Sequence, residues 1–250
     1  MTKILGFTPL HYGCEYFRES LLSIRDHVDK HYVCYSKNHS HGFQFDQPCP
    51  DTEEELRTIA EDVLGNKLIW ETHKTFPNEP SHRFMVHKHT HGMDIALSLD
   101  SDEVLIENTI EEAIKHTLES KERIQGTGGF IHLFRSFDWA MYDEFKPFRL
   151  ENLHVHNPIR GTGSNLGILH FGSAQKESVM RYKLRVYGHA WQVRKQYLDH
   201  IFYKWTPKKI EEITFLHPIS DRIWERPVAF DKNTLPDYLK SHPNFHKELI

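Results

Sequence analysis

The chain contains no run that approaches the roughly 18 consecutive apolar residues of a membrane-spanning helix, so no transmembrane segment is expected. Met1-Thr2-Lys3-Ile4-Leu5-Gly6 carries a charge but no long apolar stretch and no small-residue cleavage site, so no signal peptide is expected either. Cysteine is scarce. Cys14, Cys34 and Cys49 are widely spaced and form no Cys-x-x-Cys pair, which predicts free thiols in a reducing cytoplasm. There is no internal repeat, low-complexity tract, flexible linker or His-Glu-x-x-His. No charge of one sign dominates. With 31 Lys and Arg against 35 Asp and Glu the formal net charge is −4, His taken as neutral. That excludes a nonspecific nucleic-acid coat while leaving room for a local basic patch.

What is present is alternation. Residues 4–8 read as a strand, and 15–28 as a helix with Phe17, Leu21, Ile24 and Val28 on one face. A second strand follows at 31–36, then a polar loop over 37–50. Thr52-x-x-Glu55 is a capping box opening a helix whose buried stripe is Leu56, Ile59, Ala60, Val63 and Leu64, stopped by Gly65-Asn66. Residues 67–72 form a third strand, Pro80 opens a helix to about His91, and 95–99 form a fourth strand. Thr109-x-x-Glu112 starts a further helix with Ile110, Ala113, Ile114 and Leu118 inward. Such alternation predicts an α/β fold with a mostly parallel sheet and helices on both faces. The second half is less regular. Strands are expected at 128–136 and 167–171, mostly helix over 177–203 with a break near Gly188, and an irregular tail carrying Pro207, Pro218, Pro227, Pro236 and Pro243. With no linker, residues 1–250 read as one domain.

Asp100-Ser101-Asp102-Glu103 follows the apolar run Ile95-Ala96-Leu97-Ser98-Leu99 directly. Two carboxylates therefore emerge at the carboxyl end of a buried strand, where open α/β sheets bind ligands. Acids at that spacing can share a hard divalent cation beside a substrate phosphate; the bland alternative is an acidic turn that caps the next helix.

These features resemble the family 2 glycosyltransferases of the GT-A fold, a Rossmann-related architecture. Ile4-Leu5-Gly6-Phe7-Thr8-Pro9 is similar to that family's first strand and donor-binding turn, and Val33-Cys34-Tyr35-Ser36-Lys37-Asn38 to its second strand. The segment 83–94 followed by Leu97-Ser98-Leu99-Asp100-Ser101-Asp102-Glu103 resembles its Arg-containing helix and acidic DxD motif, here DxDE; Leu169-His170-Phe171-Gly172, followed by Met180 and Lys183, is similar to a later segment bearing a His near the metal. The resemblance implies transfer of a sugar from a nucleotide-diphosphate donor, a UDP-sugar foremost, to an acceptor hydroxyl, with Mn²⁺ or Mg²⁺. Residues 1–120 would bind the donor and 121–250 the acceptor. Asp100, Asp102 and His170 would hold the metal, with Glu103 in support and His189 a poorer ligand. Thr8, Pro9 and Ser36 would line the nucleoside pocket; Arg83 and Lys88 would approach the phosphates. Asp143 or Glu144 would be the general base, with Asp138 a weaker candidate.

His82, His87, His89 and His91 crowd one helix and His39 and His41 a loop, without the partners of a zinc site. Lys176, Arg181, Lys183, Arg185, Arg194, Lys195, Lys204, Lys208 and Lys209 interleave with Tyr182, Tyr187, Trp191, Tyr197, Phe202, Tyr203 and Trp205. Segment 176–209 is therefore either an amphipathic helical pair with buried aromatics, or a groove for a nucleic acid. The acceptor would accordingly be a glycan or a hydroxyl-bearing modified base in DNA, flipped from its stack. Two other functions remain open on sequence. Asp100-x-Asp102-x-Val104 also fits the nucleophile motif of haloacid dehalogenase-type phosphatases, and the chain reads alternatively as a non-catalytic sugar- or nucleic-acid-binding module.

Overall fold

The structure, a computed structural model, describes residues 2–39, 48–143, 145–156, 160–161, 163–187, 189–207, 216–219 and 226–247. Of the residues singled out above, His41, Glu144, Gly188, Lys208 and Lys209 lie outside them.

The first half follows the predicted alternation: β1 (Ile4–Leu10), α1 (Cys14–Ile24), β2 (Lys30–Ser36), α2 (Glu53–Leu64), β3 (Leu68–His73), α3 (Glu79–Phe84), β4 (Ile95–Ser98), then β5 (Glu103–Leu105) and α4 (Ile110–Glu119). The capping box forms: Glu55 N–H donates to Thr52 Oγ1, and Thr52 N–H donates to the Glu55 carboxylate. The helix expected to run to His91 is shorter. It stops at Phe84 and tightens into a 3₁₀ turn, Met85–His89.

The second half supplies β6 (Ile124–Gly126), β7 (Phe130–Phe134), β8 (Trp139–Asp143), β9 (Phe148–Asn152), β10 (Arg160–Gly161), β11 (Ile168–Ser173), α5 (Glu177–Val186), β12 (Val228–Ala229) and α6 (Asp237–Lys240). Two sheets result. One has the order β10-β6-β9-β4-β1-β2-β3, the other β12-β8-β7-β11-β5. In the first, β4, β1, β2 and β3 are parallel, and β9 enters antiparallel between β4 and β6. The second is antiparallel except for the β7–β11 pair.

Strand β1 is central and apolar on both sides, as buried parallel strands are. Leu5 and Phe7 pack with Tyr32, Phe76 and Val86 on the α3 side. Ile4 and Leu10 face the opposite side, where α1, α2 and α4 bury Phe17, Leu21, Leu56 and Ile110. The tail is irregular, and it seals the second sheet by packing Leu235, Leu239 and Phe245 against Tyr16, Phe137 and Phe171.

The feature that positions the site is a corner. Strands β4 and β5 are consecutive but belong to different sheets, so residues 99–102 carry the chain from one sheet to the other. Ser101 Oγ donates to Tyr12 O at 3.1 Å. Gly13, at φ +127°, permits this approach, because a Cβ there would lie 2.1 Å from Ser101 Oγ.

Candidate functional site

A cleft of about 410 Å³ opens beside this corner. Pro9, His11 and Tyr12 line it from the end of β1, Asp100 and Asp102 from the corner, His132, Asp143 and His170 from the second sheet, and Lys183 from α5. From β1 the chain moves outward through β2 to β3 on one side, while β4 lies on the other. The crevice between β1 and β4 is therefore a topological switch point, the place where open α/β sheets take ligands.

Asp100 faces guanidinium groups. Arg83 donates to both its carboxylate oxygens, Nη1 to Oδ1 at 2.9 Å and Nη2 to Oδ2 at 2.8 Å. Arg149, from β9, adds Nη2 to Oδ2 at 3.2 Å and holds Glu103 at 2.6 and 2.8 Å. Burial alone would raise the Asp100 pKa, but Arg83 and Arg149 outweigh it and keep the carboxyl well below its ordinary range. Glu103 is 1% exposed; burial pushes its carboxyl up against the pull of Arg149. Asp100 lines the cleft with both its oxygens accepting from guanidinium nitrogens.

Asp102 is held differently. Its Oδ2 accepts from Lys183 Nζ at 2.7 Å and Gln175 Nε2 at 2.9 Å. Its Oδ1 faces His170 Nε2 at 3.7 Å. Burial would raise the Asp102 pKa, but the Lys183 ammonium holds it below the usual carboxylate value. Burial also drives His170 down to about 3, so the imidazole is neutral and able to offer a lone pair. Among the described residues no group of three or more His, Cys, Asp or Glu converges as a metal cage. Asp102 Oδ1 and His170 Nε2, 3.7 Å apart, are the oxygen and nitrogen at this turn that could contribute ligands to a divalent cation.

On the far wall His170 Nδ1 and His132 Nδ1 are 2.7 Å apart, and His132 Nε2 lies 3.5 Å from Asp143 Oδ2. His132 was not foreseen. Its signal was available: Phe130-Ile131-His132-Leu133-Phe134 and Ile168-Leu169-His170-Phe171 each place one imidazole third in an apolar strand. Arg149 had no comparable signal, because its role depends on β9 joining the first sheet.

Several predicted residues stand elsewhere. Thr8 is fully buried, with Oγ1 hydrogen-bonded to His31 Nε2 at 3.0 Å. Ser36 is 1% exposed and donates to Asn38 O. Neither is among the residues lining the cleft; Pro9 does line it. Lys88 pairs with Glu71 at 2.7 Å and is not among the residues lining the cleft. Asp138 pairs with Lys232 at 2.7 Å. His189 lies at the cleft rim, hydrogen-bonded to Gln192. The histidines of the third helix diverge: His82 bonds to Cys34 O, His89 to Glu71, and His87 points toward Glu151.

The basic and aromatic segment takes the amphipathic form. Tyr182, Tyr197, Phe202 and Trp205 are between 0% and 3% exposed. Arg181 is paired with Glu177 and Asp199. Most of the aromatics a nucleic-acid groove would need for stacking are therefore core residues. Among the described residues no helix is long and apolar enough to cross a membrane.

No protein-family model matches the chain, and no curated protein matches it. Solved structures show likeness at a low level. TarS 1–349 from S. aureus is 16% identical with a TM-score of 0.38, over 53% of this chain and 36% of that one. The same protein in complex with UDP-GlcNAc gives 15% and 0.36, over 53% and 35%. The inositol-1-phosphate CTP transferase from T. maritima gives 7% and 0.40, over 74% and 96%. The match spans about a third of the length of the TarS 1–349 chain.

Proposed function

We propose that the protein is a metal-assisted glycosyltransferase, moving a sugar from a nucleotide-diphosphate donor, a UDP-sugar foremost, to an acceptor hydroxyl. The observation that supports this most is the meeting of Asp102 Oδ1 and His170 Nε2 at the switch-point cleft. In this reading the nucleoside lies over Pro9, His11 and Tyr12, where β1 ends. Asp102 and His170 hold Mn²⁺ or Mg²⁺, which when bound supplies Lewis-acid stabilisation of the leaving diphosphate. Arg83 and Lys183 line the same cleft and offer charge-assisted hydrogen bonds to phosphate oxygens. Asp143, on the opposite wall, accepts the proton of the acceptor hydroxyl. Glu144 remains its alternative by sequence and lies outside the described residues.

The acceptor side carries Phe130, Phe145, Met180 and Leu184. An apolar, partly aromatic wall of this kind suits the face of a sugar ring, and a glycan acceptor is favoured over modified DNA, most of whose stacking partners are buried. The phosphatase alternative requires Asp100 as nucleophile, and both its oxygens are tied to arginines.

The test is incubation with a panel of nucleotide sugars and Mn²⁺. Release of free nucleoside diphosphate, lost in Asp102→Asn, is expected. Orthophosphate release from a general phosphatase substrate would establish the rival activity instead. Absence of both nucleotide release and metal-dependent thermal protection by UDP would overturn the proposal.

A further inference from the structure

Helix α5 packs into the second half, with Met180 buried among Phe134, Met141, Phe202 and Trp205. From there it reaches the first half with two neighbouring residues. Lys183 Nζ donates to Asp102 Oδ2 at the corner after β4. Tyr182, 3% exposed, meets His11 just beyond the end of β1. The two contacts therefore straddle the switch point.

The direction of the second contact is set at its far end. His11 Nδ1 lies 2.7 Å from Ser36 O. A carbonyl only accepts, so Nδ1 carries the hydrogen and, in the neutral ring, Nε2 keeps its lone pair. Tyr182 Oη lies 2.7 Å from that nitrogen and donates to it. Burial pushes the Tyr182 phenol well above its ordinary pKa, so it keeps the proton it donates. Its ring also stands edge-on to Tyr12, with centroids 5.4 Å apart. One imidazole thus ties α5 to the ends of both β1 and β2.

The two contacts respond differently to an incoming diphosphate. An ammonium is a point charge on a flexible stem, able to pass from a carboxylate to a phosphate oxygen. Once Lys183 makes that exchange, its own hold on the corner is gone. The Tyr182–His11 bond joins two neutral groups and offers the diphosphate no charge to compete for. Glu15 secures the far end of the helix by accepting from Lys176 N–H at 2.8 Å, so the Tyr182 bond serves the turns that carry Lys183. We infer that Tyr182 is a positioning residue: its hydroxyl, bonded to His11 Nε2, keeps α5 against the end of β1 while Lys183 exchanges Asp102 for the donor diphosphate. The inference deepens the function proposed above and rests on it.

The experiment measures UDP binding with Mg²⁺ present, by titration calorimetry, in wild type, Tyr182→Phe, Lys183→Met and the double variant. Tyr182→Phe keeps the ring against Tyr12 and removes only the hydroxyl. It is expected to bind UDP about 2- to 10-fold more weakly, the worth of one hydrogen bond. Lys183→Met is expected to cost at least about threefold less in the Tyr182→Phe background than in wild type, because the two residues act as a unit. A purely structural role for Tyr182 would leave that cost unchanged. The ¹⁵N shifts of the wild-type His11 ring and of Lys183 Nζ, recorded at about pH 8 where imidazoles are neutral, give a second readout. His11 is expected to stay Nδ1–H with an accepting Nε2 before and after UDP is added, while the Lys183 signal moves. Thermal unfolding of each variant separates these effects from loss of fold. A wild-type His11 protonated on Nε2, wild-type affinity in Tyr182→Phe, or an undiminished Lys183→Met loss in its presence overturns the role of Tyr182 alone. A wild type that binds no UDP overturns that role and the proposed function together.

Discussion

Around Asp100 the charges interlock: Arg83 and Arg149 grip it, and Arg149 also holds Glu103 at 2.6 and 2.8 Å. Around Asp102, one residue further along the turn, the contacts are sparser. Lys183 and Gln175 take one oxygen, and the other faces His170 at 3.7 Å. The difference follows from the corner. Asp100 still belongs to the carboxyl end of β4 in the first sheet, where β9 brings Arg149 across and α3 brings Arg83. Asp102 has turned toward the second sheet and faces β11 and α5. Planar guanidinium groups pair two-to-two with carboxylates, whereas an ammonium on a flexible stem is a point charge that can move to another anion. The closed side sets the shape of the corner, and in the proposed function the more sparsely paired side receives the ligand.

The sharpest way to break this contrast is Arg149→Met. It leaves Glu103, 1% exposed, without its cation, and removes one partner of Asp100. Stranding a buried charge costs about 3–5 kcal/mol, to be read from urea unfolding. Adding Glu103→Gln should recover much of that loss, because the stranded charge is gone. A cost below about 1 kcal/mol for Arg149→Met would mean the Asp100 side is not closed, and the contrast would fail.

Asp102→Asn probes the opposite side. It should cost less stability than Arg149→Met, because Asn keeps an acceptor oxygen for Lys183 and Gln175. Transfer should fall by about 100-fold or more, as when one electrostatic contact to developing charge is removed. Equal stability losses at Asp102 and Arg149 would erase the distinction.

That distinction was only half legible in the sequence. The parallel half was readable, because each strand there is a short apolar run bounded by a capped, periodic helix, as at Thr52 and Gly65. The acidic turn was readable for the same reason: it directly follows such a strand. The second sheet was readable only at β7 and β11, expected at 128–136 and 167–171. Strands β5, β6, β10 and β12 have two or three residues each, too few to show a period. Residues 148–152 alternate apolar with charged side chains, and nothing local says that they will invade the first sheet. Arg149 and the split fates of Asp100 and Asp102 follow from that long-range pairing. Thr8 shows the converse error. It occupies the expected strand, but the side-chain alternation of β1 turns it inward to His31 rather than toward the cleft.

Lys183→Met sharpens the open side further. Lys183 lines the cleft and is read as moving from Asp102 to phosphate oxygens when a donor binds. Loss of one charge-assisted hydrogen bond, about 1.5–3 kcal/mol, predicts roughly 10- to 100-fold weaker UDP binding by titration calorimetry. An unchanged affinity would show that Lys183 stays on Asp102 throughout.

The smallest effect is expected at Lys88, the lysine that the sequence suggested and the fold directs elsewhere. Lys88→Ala should leave UDP affinity within about twofold, because Lys88 is not among the residues lining the cleft. Its signature is in stability instead. Burial would raise the Glu71 pKa, but hydrogen bonds from Lys88, Tyr32 and His89 outweigh it and hold the carboxyl at about 2. A depressed carboxyl stabilises the fold above its unfolded value near 4.5 and loses that contribution as pH falls toward 2. Lys88 is half exposed, which limits the pair to less than about 1 kcal/mol at neutral pH. The gap between wild type and Lys88→Ala should therefore be small at pH 7 and close as pH is lowered through that window. A variant that weakens UDP binding tenfold while leaving this stability profile unchanged would put Lys88 in the cleft after all.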